Sequence, residues 1–94
     1  MYFNWNNEKN ELLKKERKIS FEEVVWSIEN GELLDVIEHK NKTKYENQKI
    51  FVIQMNNYVW LVPFVENEEE IFLKTIIPSR KATKEYMGKG DAND

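Results

Sequence analysis

Residues 70–86 read EIFLKTIIPSRKATKEY and lead an apolar run directly into a basic segment. Lys74 is the sole charge inside residues 71–77, and the β-branched, aromatic and aliphatic side chains there are typical of a central strand covered on both faces. Pro78 cannot donate a backbone hydrogen bond to a sheet, and Ser79 is a favoured N-cap residue. The stretch therefore predicts a strand that ends near Pro78 and a short helix that begins at Arg80.

Two cations, Arg80 and Lys81, fall in the first turn of this predicted helix. The helix macrodipole disfavours a cation there by about 0.3–1 kcal/mol. Residues that break a local rule often lie at functional sites, and a helix N-terminus flanked by cations can bind a phosphate. Two interpretations stay open: an anion-binding site, or side chains that reach into water or pair with nearby carboxylates.

The composition allows one small domain. The chain has 94 residues, of which 40% are apolar, with five Phe, four Tyr and three Trp to fill one core. It has no Cys, which excludes disulfides and Cys-ligated zinc, and its single histidine, His39, makes a His-based metal site hard to build. We expect a single domain over residues 1–87, a flexible polar tail over 88–94, and neither a metal nor a cofactor. The polar opening residues and the lack of a long apolar run predict a cytoplasmic protein without membrane contact.

The charge pattern gives a mixed signal for nucleic-acid binding. The formal net charge is −3, whereas a basic footprint is usual for such proteins. If the cations converge on one face, the local potential can still attract RNA. They form three groups along the chain: Lys9, Lys14, Lys15, Arg17 and Lys18; Lys40, Lys42, Lys44 and Lys49; and Lys74, Arg80, Lys81, Lys84 and Lys89.

Two helices are predicted in the first third of the chain. Asn6 or Asn7 can cap a helix from about residue 8 to residue 17, with Leu12 and Leu13 as core contacts.

The second helix starts at the capping box Ser20-Phe21-Glu22-Glu23 and ends at Gly31. Trp26 lies off the apolar stripe of this helix. It either packs on the first helix or stays exposed for a partner, and packing is the favoured interpretation.

The rest of the chain predicts strands. Asn56-Asn57 tolerates positive φ and indicates a tight hairpin, while Pro63 implies a sheet edge, a bulge or an early end of its strand. The expected fold is α+β: two N-terminal helices, a four-stranded antiparallel sheet and a short C-terminal helix, with all the helices packed on one face of the sheet and a candidate N-terminal edge strand. Strands are expected at residues 2–5 (the edge candidate), 33–38, 50–55, 58–65 and 71–77, with a loop at 39–47 and an acidic turn at 66–70.

The sequence contains no Gly-rich phosphate loop, metal cluster, catalytic carboxylate pair or nucleophile elbow. Arg, Lys, Tyr and the lone His39 remain. These groups suffice for the cleavage of RNA, in which the ribose 2′-hydroxyl is the nucleophile. The protein then has to position it, neutralise phosphate charge and transfer protons.

Two stretches resemble the BrnT family of bacterial toxins, which belongs to the RelE-like superfamily. FNWNNEKNELLKKERKISFEEV, residues 3–24, resembles the family opening, which typically reads F-x-W-D and later S-F-E-E-A. IIPSRKAT, residues 76–83, is similar to the family's closing I-I-S-A-R-K-A-T. Together they cover both ends of the domain. The positions that depart from the family pattern are Asn6 for Asp, Leu13 for Asn, Glu16-Arg17 for Lys-His, and Thr75 for Arg.

The resemblance implies the toxin of a type II toxin-antitoxin pair. Such a toxin is a small, metal-independent endoribonuclease that stops translation. A ribbon-helix-helix antitoxin neutralises it, and the pair contacts operator DNA through the antitoxin. The alternative is a degenerate, non-catalytic module that only binds its antitoxin and contributes to operon control, which the missing polar residues of the family pattern favour.

Candidate roles follow from these residue types, and for Arg80 and Lys49 also from the resemblance. We expect Arg80 to hold the scissile phosphate, Lys49 to add charge, and Tyr86 or His39 to assist proton transfer. The expected RNA-binding residues are Lys44, Lys74, Lys81 and Lys84.

Overall fold

The computed structural model describes residues 1–41, 43–44 and 48–88, and it has an α+β fold. The predicted tail beyond Gly88 and part of the predicted 39–47 loop lie outside these residues. No helix in the described ranges is long and apolar enough to cross a membrane. The elements are β1 (Tyr2–Trp5), α1 (Asn7–Arg17), α2 (Phe21–Glu29), β2 (Leu33–Glu38), β3 (Gln48–Met55), β4 (Tyr58–Glu66), β5 (Glu70–Leu73), β6 (Ile77–Pro78) and α3 (Arg80–Met87).

The strands form one six-stranded sheet in the order β1-β5-β4-β3-β2, with β6 paired to β4 beside β5. Neighbouring strands are antiparallel except for β1, which joins the edge in parallel with β5. The predicted edge strand and hairpin are confirmed, and Asn56 and Asn57 have φ of 54° and 63°. The prediction of a four-stranded sheet is wrong, because β1 joins it and the last predicted strand is divided in two.

The division of that last strand has its physical cause in Pro63. On one side β4 pairs with β3 from Tyr58 to Val65. On the other side residues 60–61 of β4 pair with β6, and residues 64–66 pair with β5. Pro63 lies between these two ladders and has no N–H to donate to a continuous partner. Its carbonyl accepts the amide of Lys74 at 2.8 Å, and the chain then leaves the sheet. Ile76 consequently turns into the core, where it is fully buried.

Helices cover both faces of the sheet. The main core joins α1 and α2 to one face, through residues such as Leu13, Phe21 and Ile53. On the other face a smaller cluster joins Ala82 of α3 to Val52 and Val59.

The prediction that all helices pack on one face is therefore wrong. The reason is that consecutive β3 residues, Phe51, Val52 and Ile53, are all buried, so both faces of this strand need cover.

Two predicted helix contacts are also corrected. Leu13 is buried as expected, but Leu12 is 45% exposed. The prediction that Trp26 packs on the first helix is wrong, since its side chain is 61% exposed. The caps are as predicted: Asn6 caps α1, and Ser20 and Glu23 form the reciprocal capping box at the start of α2.

A buried asparagine in α1 completes the start of α2. Asn10 is only 3% exposed, and its side-chain oxygen accepts the amide of Phe21 at 2.8 Å. Its side-chain nitrogen donates to Glu22 at 2.9 Å, and this hydrogen bond lowers the pKa of the Glu22 carboxyl. One side chain thus satisfies an otherwise unbonded helix amide and fixes the position of α2 relative to α1.

We expect Asn10→Ala to reduce the free energy of unfolding by about 1–3 kcal/mol, because it leaves the buried Phe21 amide without an acceptor. Chemical denaturation measures the loss. The matched control is Asn7→Ala in the exposed first turn of α1, which should change stability by less than about 0.5 kcal/mol. Equal losses from the two substitutions would contradict the assignment.

Candidate functional site

The basic C-terminal helix α3 is held on the sheet by its first turn. Ser79 caps it by accepting the amide of Ala82 at 3.0 Å, and the Ser79 amide donates to the carbonyl of Val59. The Thr83 hydroxyl in turn accepts the amide of Val59 at 2.9 Å. These bonds, together with the buried Ala82, fix the helix start against β4.

Three cations lie on the outward side of α3. Arg80, Lys81 and Lys84 are exposed, and their i, i+3 and i, i+4 spacing puts them on one helix face. Within the described ranges none of them forms an ion pair or a side-chain hydrogen bond. In the described part of the chain, these cations therefore do not pair with carboxylates. Like charges at this spacing oppose local stability, and Arg80 and Lys81 also lie in the first turn, at the positive end of the helix.

The start of α3 also offers backbone donors. Four amides at a helix N-terminus lack intrahelical acceptors or depend on a cap. Here the amides of Ala82 and Thr83 are bonded to Ser79, which leaves those of Arg80 and Lys81 without an acceptor in the described ranges. Two amides beside free cationic side chains are a suitable arrangement for holding an anionic oxygen.

Tyr86 lies on the same helix but is tied to the sheet edge. Its hydroxyl donates to the Asp35 carboxylate of β2 at 2.9 Å. This hydrogen bond, with smaller contributions from desolvation and from the charge of Asp35, raises the pKa of Tyr86. The phenol is therefore held protonated, in a role that links α3 to β2.

The other proposed catalytic residues lie elsewhere. Lys49 is on the α1/α2 face of β3, where its ammonium pairs with Glu66 at 3.6 Å. Its strand partner Phe64 is five residues along β4 from Val59. Since Val59 is bonded to Ser79 at the start of α3, Lys49 is about 17 Å along the strand direction from that helix start. His39 is at the same end of the sheet as Lys49, since its amide donates to the carbonyl of Gln48.

The two remaining RNA-binding candidates are also apart from α3. Lys44 is exposed in the turn after β2, and its amide donates to the side chain of Asn41. Lys74 is exposed in the segment between β5 and β6. The structure thus brings together Arg80, Lys81 and Lys84, whereas Tyr86 is on another side of α3, bonded to Asp35. It does not bring Lys49 or His39 to them.

A groove at the hairpin end of the sheet was not predicted as a site. It lies between α2 and the Asn56–Asn57 turn, has a volume of about 410 Å³, and has the exposed Trp26 at its rim. The signal in the sequence was the position of Trp26 off the apolar stripe of its helix.

Comparisons of the chain with protein-family models, with curated proteins and with solved structures found no match. The similarity of the two terminal motifs to the BrnT family therefore stays a prediction. The functional argument depends on the geometry of the described residues.

Tyr86→Phe should reduce stability slightly at neutral pH, by about 0.5 kcal/mol or less, because the bond to Asp35 is exposed and screened. A raised pKa in the folded state means that this contribution is present below pH 10 and is lost as the pH rises through the folded pKa of Tyr86. The difference between wild type and variant should therefore shrink at alkaline pH, as measured by urea denaturation. Tyr2→Phe, at an exposed tyrosine of β1, is the control. A difference that is independent of pH would contradict the bond.

Proposed function

We propose that this chain is the toxin of a type II toxin-antitoxin pair and acts as an endoribonuclease. The observation that carries the proposal is the start of α3, where Arg80, Lys81 and Lys84 are exposed without partners in the described ranges, beside two backbone amides that have no acceptor there. The resemblance of residues 76–83 to the closing BrnT motif supports it from the sequence.

In this proposal the corner between β6 and α3 binds the scissile phosphate. Arg80 has a planar fork of donors that fits two phosphate oxygens, and the amides of Arg80 and Lys81 hold the same group from the helix end. Lys81 and Lys84 extend the positive surface along the RNA backbone. The 2′-hydroxyl oxygen attacks phosphorus and displaces the 5′-oxygen of the next nucleotide, which leaves a 2′,3′-cyclic phosphate. Water accepts the proton of the 2′-hydroxyl and supplies one to the leaving oxygen. Charge neutralisation at the phosphate lowers the barrier for this attack, because negative charge builds up there in the transition state.

A second candidate function is a non-catalytic module that binds an antitoxin through the same helix. The observation that favours it is the separation of the proposed proton-transfer groups from Arg80. Tyr86 is bonded to Asp35, and His39 and Lys49 lie toward the opposite end of the sheet. An acidic segment of an antitoxin laid over Arg80, Lys81 and Lys84 would occupy the positions of the phosphates.

Inducible expression in bacteria separates the two candidates. We expect wild type to arrest growth and shorten transcripts, and Arg80→Glu to restore growth. Glutamate in the first turn of α3 suits the macrodipole, so this variant should be as stable as wild type or slightly more stable. The control is Lys15→Glu at an exposed position of α1, which should stay toxic. Healthy growth of cells that contain folded wild-type protein would overturn the endoribonuclease and favour the binding module.

Binding to RNA can be measured apart from cleavage. A labelled single-stranded RNA with 2′-O-methyl riboses cannot be cut, and its fluorescence anisotropy reports affinity. We expect Arg80→Glu to weaken binding by about tenfold or more and Lys15→Glu to do little. Affinity for the wild type should fall steeply between low and physiological salt. Equal losses from the two substitutions would mean that general basicity, rather than the start of α3, binds RNA.

A further inference from the structure

The groove between α2 and the β3–β4 turn has the shape of a binding site. Its floor contains the buried Ser27 and Met55, and its wall contains Glu32, which directly precedes β2. The amide of Glu32 donates to the carbonyl of Ser27 at 2.9 Å, and the carbonyl of Glu32 accepts the amide of Gln54 at 3.1 Å. These bonds hold α2, β2 and β3 in fixed positions around the groove, so it is preformed.

A buried hydroxyl faces this groove without a partner. Ser27 is only 5% exposed, and within the described ranges its hydroxyl forms no hydrogen bond. A serine inside a helix commonly donates to the carbonyl four residues earlier, as Thr83 does to Ser79 at 2.7 Å in α3. Buried polar atoms are nearly always bonded, so an unbonded one in a groove indicates a polar ligand group.

An exposed tryptophan, Trp26, lies at the rim of the groove. Trp26 is 61% exposed, although its ring is large and apolar. The face of an indole attracts a cation, and a planar guanidinium also stacks on it. The solvent-exposed position of Trp26 is therefore suited to a ligand that is flat and positively charged.

The charge of the groove is negative. Its two charged lining residues are Glu23 and Glu32, and the sequence from residue 19 to residue 38 contains no Lys or Arg. One carboxylate oxygen of Glu23 accepts the amide of Ser20 in the capping box, which leaves the other oxygen for a ligand. The Glu32 carboxylate has no ion pair within the described ranges.

Exposed apolar side chains lie along the sheet edge next to the groove. β2 is an edge strand, and Leu34, Val36 and Ile37 on it are exposed. Val36, the partner of the core residue Phe51, is on the groove side, whereas Ile37, the partner of Ile50, is on the α3 side. A ligand that consists of a single side chain would leave this surface unused. A peptide segment that places one side chain in the groove can cover the edge with its neighbouring apolar residues and pair with the free backbone of β2.

We propose that the groove binds the guanidinium of an arginine from a basic, partly apolar segment of a partner protein. The guanidinium stacks on Trp26 and donates to the carboxylates of Glu32 and Glu23 and to the hydroxyl oxygen of Ser27. An arginine fits better than a lysine, because its planar fork supplies several donors and a face that stacks. The inference is independent of the proposed ribonuclease activity, which uses the opposite face of the sheet.

The test uses the full chain labelled with ¹⁵N and two capped peptides, Ac-LRVRL-NH₂ and Ac-LKVKL-NH₂. We expect the arginine peptide to shift the Trp26 indole resonance and the amides of Ser27 and Glu32. Glu32→Gln should weaken binding roughly fivefold and Trp26→Ala roughly tenfold. The matched control is Glu29→Gln, at an exposed α2 position outside the groove, which should leave the affinity unchanged.

The variant Ser27→Ala tests whether the Ser27 hydroxyl binds the ligand or only stabilises the fold. Since the hydroxyl has no partner in the described ranges, this variant should have the same or a higher melting temperature and still bind the arginine peptide more weakly. The absence of shifts in the groove, or shifts confined to α3, would overturn the proposal. Free arginine that binds as well as the peptide would overturn the assignment to a protein segment, and equal binding of the lysine peptide would overturn the preference for a guanidinium.

Discussion

The hydrogen bonds of Asn10 are the constraint on which the rest of the structure depends. A buried amide side chain is costly unless both of its ends are satisfied, and here one end holds the first amide of α2 while the other holds Glu22. The helices α1 and α2 therefore pack on the sheet in a fixed relative position, with Leu13 and Phe21 in the core. Because α2 is fixed in this way, its far end forms a groove with the β3–β4 turn.

The second constraint is the burial of β3 and β4 on both faces. The sequence already carries this signal, since residues 50–53 and 59–65 are apolar almost without interruption, which is typical of strands covered on two sides. The turn at Asn56–Asn57 and the three N-caps, Asn6, Ser20 and Ser79, could be predicted because they depend on a few neighbouring residues. The place of α3 could not, because it depends on Pro63, which divides the last strand and lets the chain cross to the opposite face.

The same distinction applies to the candidate site. Arg80, Lys81 and Lys84 could be placed together from sequence, since helical spacing alone puts them on one side. Lys49 could not be placed relative to them, because the face of a strand residue depends on register, and a shift of one residue reverses it. Tyr86 shows the limit most clearly. Its partner Asp35 is 51 residues away in the chain and follows a bulge in β2 that no local pattern indicates.

The fold separates charge in a way that restricts any partner. The cationic side of α3 and the acidic groove beside α2 lie on opposite faces of the sheet, yet both are near its β3–β4 hairpin end, since Ser79 is bonded to Val59 just beyond the turn. Each region attracts ligands of opposite charge, and the sheet between them prevents one small ligand from occupying both. A partner that contacts both regions has to pass around the Asn56–Asn57 turn with a basic segment on one face and an acidic segment on the other. A ligand of a single charge sign has only one of the two regions available to it.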